Sequence, residues 1–120
     1  MDYTQEKYDD VIVEVVNITR ATLGEATEFK EVLYYDIARG CTKLIVDLSD
    51  CEFIDSTFLG ALVVSLKRVT ELGGDLRLIG FHPAVNSMFH LTRMDRVFEV
   101  FKTKDDAIKS YKTEISHKHL

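Results

Sequence analysis

A chain of 120 residues with 46% apolar side chains has the material for one domain around one core. Its net charge of −5 argues against nucleic acid and against an anionic membrane face, since both call for a basic surface. No window of about 18 uncharged apolar residues occurs, the longest apolar stretch being Leu59–Leu66 with Ser65 inside it, so no membrane insertion is expected.

The opening MDYTQEKYDD carries four acids and one lysine and lacks the basic-then-apolar pattern of a signal peptide. The expected location is the cytoplasm. Residues 1–120 read as a single domain, with 1–2 and about 114–120 as flexible ends.

Tyr3–Lys7 predicts an edge strand, followed by a turn at Tyr8-Asp9-Asp10. Val11, Val13, Val15 and Val16 form a β-branched strand. Asn17–Gly24 reads as a loop. From Glu25, apolar residues at Ala26, Phe29, Val32, Leu33 and Ile37 have helical spacing, and Gly40 supplies the stop. Leu44-Ile45-Val46 fits a central strand covered on both faces. The polar connection DLSDCEFIDST follows, with Phe53 and Ile54 expected to point inward.

A second helix is expected from about Ser56 to Leu72, with Leu59, Leu62, Val63, Leu66 and Val69 as its core stripe and Gly73-Gly74 as its end. Leu76, Leu78 and Ile79 give another strand. Pro83 suits a first helical position, and Val85, Met88, Phe89 and Leu91 continue a short helix. Val97–Phe101 reads as the last strand. A terminal helix runs from about Lys104 past Tyr111 and turns Ala107, Ile108 and Tyr111 inward.

The order is ββαβαβαβα. Strands joined through helices are parallel neighbours with right-handed crossovers. The fold class is therefore α/β: a single mixed sheet, with a mostly parallel core and an antiparallel edge, packed with about four helices.

Cys41 and Cys51 bracket the Lys43–Asp47 strand without CxxC spacing and read as reduced, packed thiols. His117 and His119 have no neighbouring cysteine or carboxylate cluster and read as exposed tail residues, so no metal site is expected.

The informative stretch runs from Asp47 to Gly60. Ser56 follows an acid and starts a helix. A serine there can cap free backbone N–H groups. It can equally be a modification site, because a phosphate would sit where those N–H groups and the helix dipole favour an anion. Asp55 could itself be the cap, leaving Ser56 free.

The run V-D-L-S-D-C-x-F-I-D-S-T-x-L-G resembles the signature of the anti-sigma-factor antagonists of the STAS family, in which D-S-[ST]-G-L-G follows an apolar strand and a loop. Leu72-Gly73-Gly74-Asp75-Leu76 resembles the family's G-G turn, Pro83-Ala84-Val85 its P-x-V helix start, and Leu91-Thr92 with Phe98–Phe101 its last helix-to-strand passage. The resemblance covers residues 43 to 112 well, and 11 to 42 by pattern only. It implies the STAS fold, phosphorylation at Ser56 with Thr57 as second choice, and a partner-binding face made of Asp55, Ser56, Thr57 and Phe58.

Two positions depart from the family pattern. Phe58 stands where the family has its first glycine; it either faces a partner or folds back on the sheet. The acid of the family's G-x-[LIV]-D is missing from Asn17–Thr22.

The implied mechanism is partner switching. The unphosphorylated protein binds a serine protein kinase that is also an anti-sigma factor, displacing the other client. Phosphorylation of Ser56 releases it, and a PP2C-type serine phosphatase resets it. The chain catalyses nothing and needs no cofactor; ATP belongs to the kinase.

Competing readings fit less well. A nucleophile elbow needs G-x-S-x-G, but Ile54 and Phe58 flank Ser56. A receiver domain needs an acidic pair that Asn17–Gly24 does not offer, and Gly73-Gly74 has no following lysine and precedes a strand, unlike a phosphate loop. The alternative is a STAS binding module in a signalling, secretion-regulating, or lipid- or anion-transport assembly that controls no sigma factor.

Overall fold

The structure, a computed structural model, describes the backbone of residues 2–118 and the side chains up to residue 112. The reading of His117 and His119 as exposed tail residues lies outside the described side chains, and of the ends expected to be flexible, residues 1, 119 and 120 lie outside the described backbone. The elements are β1 Tyr3–Tyr8, β2 Val11–Val16, β3 Arg20–Ala21, α1 Leu23–Ala38, β4 Lys43–Asp47, β5 Phe53–Ile54, α2 Ser56–Glu71, β6 Asp75–Ile79, α3 Pro83–Leu91, a 3-10 turn Met94–Arg96, β7 Val100–Phe101 and α4 Lys104–Lys118.

The main sheet has the order β1-β2-β4-β6-β7. β1 and β2 form an antiparallel hairpin whose turn places Asp9 at φ 58°, a left-handed conformation that Asp tolerates. The remaining pairs are parallel. This is the mixed α/β sheet with an antiparallel edge that the pattern predicts.

Alternation along the strands divides the core in two. Ile12, Val16, Leu44, Val46, Leu76 and Leu78 face α1 and α2, while Val11, Val13, Ile45 and Ile79 face Ala107, Ile108 and Tyr111 of α4. The Tyr111 hydroxyl lies 2.7 Å from the carbonyl oxygens of both Leu44 and Asp75. Arg77, only 2% exposed, stacks on the Tyr111 ring at 4.0 Å and pairs with Asp75 and Glu99. Gly73 closes α2 at φ 80°, and Gly74 then presses so tightly on Thr42 that a Cβ would lie 2.2 Å from its carbonyl oxygen. Both cysteines are free thiols, and burial pushes Cys51 up to about 12.

Several local expectations are corrected. The Asn17–Gly24 loop contains β3, which pairs in parallel with β5, and α1 starts at Leu23 instead of Glu25. The earlier start follows from Glu25 itself, whose carboxylate accepts from the Thr22 N–H at 2.8 Å and from its hydroxyl at 3.0 Å. Phe53 does not point inward; it is 37% exposed beneath the Arg20 guanidinium, 4.4 Å away, while Ile54 is buried. A two-residue ladder turns successive side chains to opposite faces, so only one of the pair can enter the core.

On α2, Val63 and Leu66 are half-buried, and Phe58, Ala61 and Ser65 take fully packed places. Ser65 is tolerated because its hydroxyl donates to the Ala61 carbonyl at 2.8 Å. Leu91 ends α3 at 85% exposure. The last strand shrinks to Val100–Phe101, since the chain from Met94 winds into a 3-10 turn that leaves Val97 exposed and Phe98 buried.

Two acids occupy core positions. Glu14 shares its face of β2 with Ile12 and Val16, and Asp36 continues the Phe29–Leu33 face of α1; they are 2% and 1% exposed. Gln5 Nε2, on β1, donates to Glu14 Oε2 at 2.7 Å and to Asp36 Oδ1 at 3.0 Å. Burial first, and the hydrogen bond with Asp36 second, raise Glu14 to about 8. Facing it are Gln5 from β1, Asp36 and Arg39 from α1, and the neutral Val46 from β4. An acid raised from 4.5 in this way holds more protons folded than unfolded, so its contribution to stability falls as pH rises from about 4.5 to about 8. Glu14→Gln removes that loss. Thermal melts should show the variant gaining on the wild type at pH 8, with a smaller difference at pH 5.

Candidate functional site

The carboxyl ends of parallel strands are where an open α/β sheet presents loops and helix starts. β2 leads through β3 into α1, and β4 leads through β5 into α2, so the two helices begin side by side at that end. The β3–β5 ladder ties the two connections together, reinforced by the Glu52 and Phe53 N–H groups donating to the Thr19 carbonyl at 2.8 and 3.2 Å.

One side chain joins both helix starts. Asp55 is the N-cap of α2: its Oδ1 accepts from the Phe58 N–H at 2.9 Å. Its Oδ2 accepts from the Leu23 N–H, the first residue of α1, also at 2.9 Å. The Asp55 N–H donates to the Ala21 carbonyl at 3.1 Å, which holds the cap in place. α1 thus draws carboxylates from both Glu25 and Asp55.

With Asp55 as the cap, Ser56 is the first helical residue and its side chain is exposed. Thr57, next in the turn, is exposed as well and lines a groove of about 340 Å³ between α1 and α2 that Lys30 also lines. The N–H groups of the first turn have no acceptor within their own helix. The macrodipole adds a partial positive charge at the same place. Exposed around this end are also Leu23, at 67%, and Phe53 under Arg20.

Phe58 does not belong to this surface. It is fully buried and stacks on Phe29 of α1 with ring centroids 4.7 Å apart. Of its two readings, the structure takes the one that folds it back into the core, and direct contact of its ring with a partner is corrected accordingly. The third residue of α2 faces α1, and the aromatic fills the space between the helices. Asp55, Ser56 and Thr57 stand together as expected. Sequence reasoning missed Leu23, Arg20 and the outward Phe53. It also missed the Glu14–Asp36 pair, although an acid inside VIVEVV and another on the Phe29–Leu33 stripe were signals for it.

The STAS domain model matches residues 6–107. The chain belongs to the STAS domain family. Among other STAS proteins, a provisionally named anti-sigma factor antagonist of Thermotoga maritima is 32% identical over 105 residues, 84% of this chain and 89% of its own. The crystal structure of an anti-sigma factor antagonist from Mycobacterium paratuberculosis superposes with a TM-score of 0.82 at 25% identity, over 90% of this STAS domain and 91% of that chain. The antagonist SpoIIAA shares the fold at 15% identity, with TM-scores of 0.72 unphosphorylated and 0.71 phosphorylated, over 92% and 91% of this chain and 97% and 98% of theirs.

Two substitutions test this geometry. Phe58→Ala removes a fully buried ring and should reduce stability by about 3–5 kcal/mol in denaturant titrations; a loss below about 1 kcal/mol would place the ring outside the core. Asp55→Ala deprives two helix starts of an acceptor. The expected loss is at least the roughly 0.5–2 kcal/mol of a single cap, with circular dichroism still showing a folded protein.

Proposed function

We propose that this STAS domain is an anti-sigma factor antagonist that works by partner switching in the cytoplasm. Unphosphorylated, it binds a serine protein kinase that is also an anti-sigma factor; phosphorylation of Ser56 releases it, and a PP2C-type serine phosphatase restores it. The domain catalyses nothing itself. The observation that carries this reading is the division of labour at the start of α2: Asp55 does the capping, so the Ser56 side chain is exposed and, among the described residues, not needed as the cap. The names of the relatives and the solved phosphorylated form of SpoIIAA support it.

The switch is electrostatic. A phosphate adds about −1.5 to −2 charges at pH 7. In the free domain the first-turn N–H groups and the dipole accommodate it. At a docked interface the same charge meets a partner's surface without water. Two unit charges about 5 Å apart at an effective dielectric of about 20 repel by roughly 3 kcal/mol, which lowers affinity about a hundredfold.

Incubation with the cognate kinase and ATP should add one phosphate, located on Ser56 by peptide mass spectrometry and abolished by Ser56→Ala. Titration calorimetry should then give about a hundredfold weaker binding of the phosphorylated form to the kinase, with unchanged circular dichroism. Phosphate found only on Thr57 would move the site. Equal affinities of the two forms would remove the switch.

A further inference from the structure

The Glu14–Asp36 pair lies in a groove of about 750 Å³ between β1 and α1. Tyr3, Val32 and Tyr35 give the groove apolar and aromatic walls, and three exposed carboxylates, Asp2, Glu28 and Glu31, also line it. No basic side chain lines it among the described residues. Acids on a surface are ordinarily just solvated, but Asp36 is different. It is 1% exposed, lines the groove, and its Oδ2 has no hydrogen-bond partner among the described residues. A buried carboxylate oxygen is costly unless something supplies a donor; in the empty site the donor at hand is the proton of Glu14, whose hydrogen bond with Asp36 helps to raise that group.

We propose that this groove binds an ammonium group carried on an aliphatic chain, with its nitrogen taking the place of the Gln5 amide between Glu14 and Asp36. The Gln5 nitrogen marks the position: one N–H donor group already bridges both carboxylates, from an exposed side chain on an edge strand that can swing away. An ammonium offers three N–H donors where the amide offers two. It can make the same two bonds, reach the open Asp36 oxygen with the third, and offset one of the two carboxylate charges, as the Glu14 proton does in the empty site. Tyr3 and Val32 provide surface for methylene groups, and the outer carboxylates suit further ammonium groups on the same chain. A metal ion fits less well, because no cluster of three or more ligating side chains occurs among the described residues.

The site is independent of the partner-switching proposal, since none of its residues lies at the start of α2. It also has a proton linkage. Glu14, raised by burial and by Asp36, with Arg39 as the opposing charge and Gln5 as its other partner, is protonated at neutral pH in the empty site. The ammonium replaces that proton, so binding releases close to one proton and its affinity climbs by up to about tenfold per pH unit between pH 6.5 and 8.

The test is titration calorimetry of the full chain with spermidine and, in a parallel arm, with a short peptide containing one lysine. The wild type should bind, with affinity rising with pH. Asp36→Asn should bind at least about tenfold more weakly, the loss of one of two bridging charges. Gln5→Ala, which opens the position, should bind more tightly. Gln5→Lys supplies its own ammonium and should melt at a higher temperature while no longer binding. Spermidine binding assigns a free amine as the ligand; binding of the peptide alone assigns a lysine of a partner protein. Absence of binding in both arms at pH 8 overturns the proposal. So does equal binding by wild type and Asp36→Asn, which reports attraction to the acidic surface alone.

Discussion

A single carboxylate governs how the candidate functional end of this domain is assembled. Asp55 has two oxygens and uses one for each of two helices, so α1 and α2 cannot separate or slide at their starts without exposing an N–H group. The short β3–β5 ladder brings the two connections close enough for this, and the Asp55 N–H bond to Ala21 sets the angle of the cap. Everything exposed at this end, from Leu23 to Ser56 and Thr57, is positioned by that arrangement. With Asp55 as the cap, the neighbouring Ser56 is exposed and takes no part in capping.

Phe58 extends the same constraint inward. Its N–H is the group that Asp55 caps, and its ring is the one that stacks on Phe29. One residue therefore couples the polar joint at the surface to the apolar joint below it. A large side chain at a position where the family carries glycine is accommodated by the α1–α2 interface, and the exposed side chains next to it on α2, Ser56 and Thr57, are small and polar.

The two faces of the sheet solve the burial of charge in opposite ways. On the α4 face, Arg77 is supplied with acids and an aromatic plane, and it anchors the last helix. On the α1 face, Glu14 and Asp36 are two like charges with a neutral amide between them. The first arrangement is balanced within the chain. In the second, one of the two charges is offset by a proton, or by a cation from outside.

Much of this was legible in the sequence. The two periodicities, the glycines that end helices and the proline that starts one were enough to order the elements, because each reports only on its own segment. The adjacency of Asp55 and Ser56 at a helix start was legible for the same reason. What the sequence left open were choices between neighbours. Either Asp55 or Ser56 could have been the cap, and an N–H from α1, more than thirty positions earlier, weighs on the side of Asp55. Phe58 could have faced either way until Phe29 was placed opposite it. Phe53 and Ile54 are both apolar, and a ladder only two residues long decides which enters the core. Glu14 and Asp36 each interrupt an apolar stripe, yet that the two interruptions meet is a fact of β2 packing on α1. Periodicity determines which face of an element is turned inward; only the tertiary structure decides what that face meets.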